Sequence, residues 1–257
     1  MNLVADNIQV RYGGVVALDR VSVSVEPGRI LAVVGPNGSG KTTLFNAITG
    51  LAPLAGGKVA MGADSLFGLS LDERVRRGIS RTFQTPRYDP DMTLRETVLC
   101  GFFPLRRARL LGALCGAPSA MREARHMHAR CDALIDAFGL TPLAEQPMGE
   151  LPIAQIRLVD VARATAPQPR FLLLDEPAAG LSVPEQQRLA QEVRRLARSG
   201  IGVLLVEHNF DLVCRIADHL VVLERGKVLL QGTPNEVSRD PDFRAAYLGS
   251  IHAVEEQ

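Results

Sequence analysis

A glycine-rich stretch at residues 35–43, GPNGSGKTT, contains residue types that can bind phosphate. It matches the spacing GxxxxGK[ST], follows the apolar residues LAVV and opens a stretch of helical character, KTTLFNAITG. Glycines let backbone N–H groups face phosphate oxygens, and a helix start adds its positive dipole end. This context disfavours a chance glycine-rich turn. The predicted phosphate-binding residues are Gly35, Pro36, Asn37, Gly38, Ser39, Gly40, Lys41, Thr42 and Thr43.

Within this stretch, Lys41 places a positive charge on the outer phosphates, and Thr42 supplies a hydroxyl for Mg²⁺. A second segment, FLLLDE at residues 171–176, supplies carboxylates. Four apolar residues predict a buried strand whose C-terminal end presents Asp175, and ligands of α/β proteins bind at such ends. We expect Asp175 to hold Mg²⁺ and Glu176 to polarise an attacking water. The alternative is a pair of solvated surface carboxylates.

Three further residues are weaker signals when each is taken alone. Gln84 in SRTFQ can reach Mg²⁺ or the attacking water, although a glutamine is more often a surface residue. His208 ends GVLLVEH and can hydrogen-bond an outer phosphate, although a histidine at a strand end is usually structural. Tyr12 in RYGG is a candidate aromatic platform for a purine base.

The bulk properties of the chain exclude several classes of protein. Its 257 residues are 46% hydrophobic and 22% charged, which predicts a globular chain with a sizeable core. A net charge of +1 gives no overall attraction to nucleic acid. The four cysteines contain no CxxC pair and are expected to be reduced thiols. The N-terminus lacks a signal-peptide pattern and the apolar runs are too short to span a membrane, so we expect any membrane role to involve partners.

The elements that must position these residues follow an α/β rhythm. FLLLDEP and GVLLVEH are continuous apolar runs of the parallel-strand type, and VPEQQRLAQEVRRLARSG is a helix between them. Residues 91–165 are mostly helical and interrupt this rhythm. The other predictions are strands within 2–34, 56–63 and 79–84, helices at 41–50 and 71–78, a hairpin at 219–232, a helix with a capping box at Thr233, and a last helix from Asp240 to Gly249.

Together these motifs resemble the nucleotide-binding subunit of ABC transporters over nearly the whole chain. The resemblance assigns 35–43 as Walker A, FLLLDE as Walker B, AAGLS (178–182) as the D-loop and His208 as the switch histidine. It implies ATP and Mg²⁺ as ligands, Tyr12 beside adenine, and Gln84 as a Mg²⁺ ligand. It also implies an ABC-type P-loop fold with a mostly parallel core sheet, an N-terminal antiparallel β subdomain and an inserted helical subdomain. We expect one domain, with residues 1–90 and 166–257 as the ATP-binding core and about 91–165 as the helical subdomain.

Finer features are similar to the ATPase subunits of branched-chain amino acid importers, in particular the LivG-like subunit. They are RTFQ followed by MTLRETV, then LLLDEPAAGL, VLLVEHNFDLV and PDFRAAYLG. Relatives in that group move amides, urea or aromatic acids, and the matched residues do not choose among these solutes. The resemblance implies transmembrane permease partners, an indirect solute-binding protein, and a peripheral place on the cytoplasmic face of the inner membrane.

One family motif departs from its usual form. The signature, usually LSGGQ or LSYGQ, reads Leu151-Pro152-Ile153-Ala154-Gln155. In this family it caps a helix and grips the γ-phosphate on the other subunit of a head-to-tail dimer. Pro152 removes a hydroxyl and a backbone donor. Ala154 replaces a glycine and brings a methyl group where the phosphate should approach closely. We therefore expect an asymmetric heterodimer with a second, complete ATPase subunit; a homodimer would be impaired at both sites. The alternative is that the remaining amides and the helix dipole suffice.

Two other function classes fit the sequence less well. A non-transport ABC protein of DNA repair or translation usually carries a long coiled coil or two cassettes, and this chain has one P-loop and no sustained heptads. A P-loop GTPase should offer NKxD, which is absent from the sequence. The basic segment 106–116, RRARLLGALCG, either contacts the membrane partner or lipid headgroups or forms a solvated helix face.

Overall fold

The computed structural model describes residues 1–105 and 118–243. The basic segment 106–116 and the predicted end of the last helix at Gly249 lie outside the described residues. The strands are β1 (Leu3–Tyr12), β2 (Val15–Val25), β3 (Ile30–Val34), β4 (Gly56–Met61), β5 (Asp64–Ser65), β6 (Ile79–Arg81), β7 (Phe171–Asp175), β8 (Gly202–Val206), β9 (His219–Glu224) and β10 (Lys227–Gly232). The helices are α1 (Lys41–Thr49), α2 (Leu71–Arg76), α3 (Leu94–Cys100), α4 (Pro118–Ala137), α5 (Ile153–Thr165), α6 (Val183–Arg198), α7 (Phe210–Ile216), α8 (Pro234–Arg239) and α9 (Pro241–Phe243).

The strands form two sheets. One is antiparallel with the order β2-β1-β4-β5. The other has the order β10-β9-β3-β8-β7-β6, in which β9, β3, β8, β7 and β6 run parallel and β10 pairs antiparallel with β9. Every residue of β3, β7 and β8 is buried, which accounts for their continuous apolar sequences. The carboxyl ends of these three strands meet at one edge of the sheet.

The period-two alternation of the central strands divides the core into two clusters. Ile30, Ala32 and Val34 of β3 pack in the cluster that contains α5, α6 and α7. Leu31 and Val33 pack on the opposite face, with α1 and the antiparallel sheet. Apolar layers thus cover both faces of the parallel sheet, so only its edges can open to a ligand.

Two helix ends have the caps that the sequence predicts. Gly50 ends α1 with φ of 80°, and the Thr233 side chain caps α8 in a capping box with Glu236 and a proline at the first helical position. The strand predicted at 79–84 is shorter, because β6 covers only Ile79–Arg81. Thr82 still donates its N–H to the Leu173 carbonyl, but its hydroxyl accepts a hydrogen bond from the Asp175 N–H. The chain therefore leaves the sheet here and brings Gln84 toward the strand ends.

Candidate functional site

A cavity of about 490 Å³ lies at the start of α1, beside the carboxyl end of β7. It is formed mainly by the glycine-rich loop, and Gln84 and Glu176 close one side. The lining residues are Val15, Val16, Ala17, Asn37, Gly38, Ser39, Gly40, Lys41, Thr42, Thr43, Gln84, Glu176, Arg225 and Gly226. Residues predicted from distant parts of the sequence are therefore adjacent here.

The backbone of the loop explains its glycines. Gly40 has φ of 106°, and a Cβ there would lie 2.7 Å from Cδ2 of Leu18. Gly38 has φ of 78° with open space around it, so its conformation rather than crowding favours glycine. Gly35 leaves no room for a side chain, because a Cβ would lie 2.2 Å from the Leu223 carbonyl oxygen. The loop can thus approach a phosphate with its backbone.

Lys41 supplies the positive charge of the cavity. Its side chain is buried, and its Nζ donates hydrogen bonds to the carbonyls of Gly35 at 2.7 Å and Pro36 at 3.0 Å. Burial lowers the pKa of Lys41, while the carboxylates of Glu176 and Asp175 act in the opposite direction. An ammonium group held by two neutral carbonyls at a helix start is well placed to bind an anionic phosphate.

The residues present fit a bound Mg²⁺. Asp175 is 2% exposed; its Oδ2 accepts a hydrogen bond of 3.2 Å from Nη2 of Arg81, whereas its buried Oδ1 has no hydrogen-bond partner among the described residues. Burial raises the pKa of Asp175, and the Arg81 guanidinium opposes that rise. Mg²⁺ prefers hard oxygen ligands. The unpaired carboxylate oxygen of Asp175 and the hydroxyl of Thr42 on the cavity wall are two such ligands.

Two predicted residues, Gln84 and His208, contact the carboxylate of a third, Glu176. Nε2 of Gln84 donates to Oε2 at 2.9 Å, and Nε2 of His208 lies 2.6 Å from Oε1. Glu176 adopts φ of 48°, a conformation that residues other than glycine seldom adopt. A 2.9 Å hydrogen bond from its N–H to the Val206 carbonyl anchors this backbone. The carboxylate thus points to the cavity in a fixed direction, where it can orient and deprotonate a water.

Side chains of α5 hold the loop that carries Gln84. Nη1 of Arg157 donates to the Gln84 carbonyl at 2.7 Å, and Nη1 of Arg163 donates to the Arg87 carbonyl at 2.6 Å. Between them, the buried Asp160 carboxylate pairs with Arg163. Sequence reasoning missed these contacts, because residues three apart on a helix reveal a shared face but not its partner.

The residue predicted as a platform for adenine is Tyr12. Tyr12 is 49% exposed and does not line the cavity, whereas the following residues Val15, Val16 and Ala17 do. Val15 and Val16 are 67% and 43% exposed, so they offer an apolar surface at the cavity mouth. Sequence reasoning missed this surface and also Arg225 and Gly226, which line the cavity next to Ala17. The sequence did give an indication of the valine surface, because two neighbouring valines stand at the start of a predicted strand.

The signature residues 151–155 lie outside the cavity lining. Pro152 occupies the N-cap of α5 with φ of −58° and ψ of 150°, and no side chain caps this helix. Ala154 is only 6% exposed and packs in the core cluster of α5. Its methyl group therefore fills the core, whereas the sequence predicted that it would crowd a phosphate. Any loss of phosphate contacts at the signature is therefore expected mainly from Pro152.

The fold and site define a class of protein: a P-loop ATPase cassette. The sequence profile of the ABC transporter family matches residues 18–179, so the chain belongs to that family and is an ABC-type ATPase. It is 35% identical to the high-affinity branched-chain amino acid transport ATP-binding protein BraF of Pseudomonas aeruginosa, over 96% of this chain and 97% of that protein. It is 34% identical to LivG of Escherichia coli K12, with the same coverage.

Solved structures confirm the predicted fold class. A nucleotide-free ATP-binding cassette from an ABC transporter matches with a TM-score of 0.85 and 31% identity, over 96% of this chain and 99% of the other. The ADP conformation of MJ1267, another such cassette, matches with a TM-score of 0.84 and 31% identity, over 97% and 99%. Across residues 1–105 and 118–243, none of the helices is both long and apolar enough to cross a membrane.

Proposed function

We propose that the cavity beside α1 binds Mg-ATP and that its hydrolysis powers import of branched-chain amino acids or related small solutes such as amides, urea or aromatic acids. The observation that carries the catalytic part is the Glu176 carboxylate, held between Gln84 and His208 at the side of the cavity. The names of BraF and LivG support the solute class.

In the proposed mechanism, Lys41 exchanges its bonds to the loop carbonyls for the outer phosphates of ATP. The loop amides of residues 35–43 hold the phosphates, and the valine surface near Tyr12 packs against adenine. Glu176 orients the attacking water and accepts its proton. His208 holds Glu176 and hydrogen-bonds the γ-phosphate. Thr42, Asp175 and Gln84 would hold Mg²⁺, which supplies positive charge to the transferring phosphoryl group.

The assembly proposed here follows from the family. ATP-binding subunits of ABC importers generally dimerise and pair with permease subunits. We propose that this chain binds transmembrane permease subunits at the cytoplasmic face of the inner membrane, as a peripheral subunit served indirectly by a solute-binding protein. In this arrangement residues 91–165 act as the helical subdomain, and residues 1–90 and 166–257 act as the ATP-binding core.

The signature supports an asymmetric dimer. Residues 151–155 lie apart from this chain's own cavity, so they serve a nucleotide on a partner subunit, either a second copy or a second ATPase. Proline at position 152 lacks both the hydroxyl and the N–H that a serine would offer. Each lost charge-assisted hydrogen bond costs about 1.5–3 kcal/mol, or roughly 10- to 150-fold in rate or affinity. The site on this chain's P-loop is therefore the faster one in a heterodimer.

A gene disruption in the source organism tests the proposal. The disrupted strain is complemented with the wild-type gene or with Glu176→Gln, and uptake of labelled leucine, isoleucine, valine, an amide, urea and an aromatic acid is measured. We expect that uptake of one solute class is lost and that only the wild-type gene restores it. Normal uptake of all these solutes in the disrupted strain, or restoration by Glu176→Gln, contradicts the proposal.

A further inference from the structure

Arg81 is a buried arginine at the end of β6 whose side chain is 4% exposed. Its Nη2 donates to Oδ2 of Asp175 at 3.2 Å, and its Nε donates to the Thr82 carbonyl at 3.2 Å. Its Nη1 donates to Oδ1 of Asn46 at 2.8 Å and to Oγ1 of Thr49 at 3.1 Å. Every nitrogen of the guanidinium group therefore has a partner, which fixes its plane.

Two aromatic rings add to this restraint. The guanidinium carbon of Arg81 lies 4.6 Å from the centre of the Phe83 ring and 5.8 Å from that of Phe45. Phe45, Asn46 and Thr49 all belong to α1, the helix that begins at the phosphate loop. Arg81 thus joins that helix to the strand end that carries Asp175.

The effect on Asp175 is directional. Arg81 occupies Oδ2, and the backbone N–H of Asp175 is taken by the Thr82 hydroxyl. Oδ1 is left buried and without a hydrogen-bond partner among the described residues. A carboxylate with one oxygen engaged and its backbone anchored keeps the other oxygen in one place, as outer-shell partners do for metal ligands.

We propose that Arg81 is a positioning residue that orients Asp175 and sets its distance from Thr42, and thereby sets the affinity of the Mg²⁺ site. This inference rests on the proposed function, in which Asp175 and Thr42 hold the ion. Arg81 acts through Asp175 and makes no contact with nucleotide.

Arg74 provides a matched control because it is also a buried arginine linked to α1. It donates to the carbonyls of Ala47 and Ile48 at the C-terminal end of that helix, and to those of Leu66 and Leu69 in the segment before α2. Its hydrogen bonds go to these carbonyls and do not reach Asp175, so its loss should weaken packing around α1 without reorienting the carboxylate. A purely structural role for Arg81 would therefore give the same results as Arg74.

The test measures metal affinity directly on the purified full-length chain. Mn²⁺ binding is titrated by electron paramagnetic resonance in the presence of a non-hydrolysable ATP analogue, with Mg²⁺ as competitor, and binding of the analogue is also measured in EDTA. Arg81→Gln should weaken metal affinity by about 10- to 100-fold and change metal-free binding of the analogue by less than about threefold. Arg81→Lys keeps the charge and one bond to Asp175, and should fall between Arg81→Gln and wild type.

Several results would overturn the inference. They are equal losses of metal affinity in Arg81→Gln and Arg74→Gln, equal losses of metal and metal-free nucleotide affinity, or full additivity of Arg81→Gln with Asp175→Asn. If Arg81→Gln does not fold, Arg81→Lys and Arg74→Lys carry the same comparison. The proposed function fails separately, if the wild-type chain shows no metal-dependent binding of the ATP analogue.

Discussion

The guanidinium of Arg157 donates a 2.7 Å hydrogen bond to the backbone carbonyl of Gln84. Arg157 lies one turn into α5, the helix that begins at the signature, and it is 9% exposed. The Gln84 side chain in turn contacts the Glu176 carboxylate. One residue thus links the helix that we propose serves a partner's nucleotide to the carboxylate that we propose activates water on this chain.

Arg157→Met should lower the kcat for ATP hydrolysis by about tenfold while the KM for ATP changes less than about twofold. The partly buried Gln84 carbonyl loses its charged donor, which costs about 1–3 kcal/mol and loosens the loop, whereas the phosphate loop is untouched. Steady-state kinetics of the purified chain measure both constants. Arg198→Met, an exposed substitution on α6, is the control. A rise in KM with unchanged kcat, or an effect that adds fully to that of Gln84→Ala, would show that Arg157 does not act through Gln84.

A second prediction concerns Glu207, which is 3% exposed and ties two segments of the site together. Its Oε1 accepts a 2.7 Å hydrogen bond from the Ala178 N–H, and its Oε2 accepts one of 3.3 Å from the His208 N–H. Burial raises the pKa of Glu207 from about 4.5 to about 7. The folded chain therefore keeps a proton that the unfolded chain releases. This contribution to the free energy of unfolding is full below pH about 4.5 and is lost as the pH rises through about 7.

Glu207→Gln removes this titration. Between pH 6 and pH 8.5, the free energy of unfolding of the variant should rise relative to wild type by about 1–3 kcal/mol. Urea unfolding at the two pH values measures the change. Glu236→Gln is the control, because the exposed Glu236 has a lowered pKa and stays ionised throughout this range. Parallel pH dependence of Glu207→Gln and wild type would contradict the assignment.

A third prediction concerns Lys41. Among residues 1–105 and 118–243, Nζ of Lys41 bonds only to the Gly35 and Pro36 carbonyls, so Lys41→Met should fold normally. Loss of a charge-assisted contact to the phosphates should weaken ATP binding by about 10- to 150-fold. Isothermal titration with ATP measures the affinity, and Lys58→Met, at an exposed lysine of β4, is the control. Equal affinities of Lys41→Met and wild type would remove Lys41 from the site.

The sequence predicted the parts of the site that local chemistry dictates. The glycine-rich loop, Asp175, Glu176, Gln84 and His208 lie together because each stands at or just after the carboxyl end of a strand. These strands belong to one parallel sheet, so their carboxyl ends meet. The roles of Arg81 and Arg157 could not be predicted. The sequence does not distinguish an arginine that faces solvent from one that binds a carboxylate or a carbonyl far away in the chain. Their roles depend on the packing of α1 and α5 against the sheet.

The direction of the Ala154 side chain also could not be predicted from the sequence. Replacement of a glycine by alanine in the signature predicts crowding near a phosphate, but the start of α5 directs this methyl group into the core. Side-chain direction depends on the rotation of the helix about its axis, and a five-residue motif does not specify that rotation. The effect of Pro152 at the N-cap can be predicted without knowing that rotation, because proline lacks the hydroxyl and the N–H of a serine in any orientation.

Pro152→Ser is therefore the sharpest test of the asymmetric dimer. A serine at the N-cap restores a hydroxyl and an N–H at the start of α5, and we expect the ATPase rate of the chain alone to rise by about tenfold or more. The same serine also caps the helix, which adds about 1 kcal/mol to stability whether or not a nucleotide is gripped. Activity and stability must therefore be measured together.

The control is Pro234→Ser, at the first residue of α8, which changes a proline at another helix start away from the cavity. A rate increase in Pro152→Ser that disappears when Glu176→Gln is added would place the gain in hydrolysis between two copies of this chain. If Pro152→Ser gains stability but no activity, the hydroxyl at this position does not limit the homodimer. The slow turnover would then have another cause, and the argument for a complete partner subunit would lose its chemical basis.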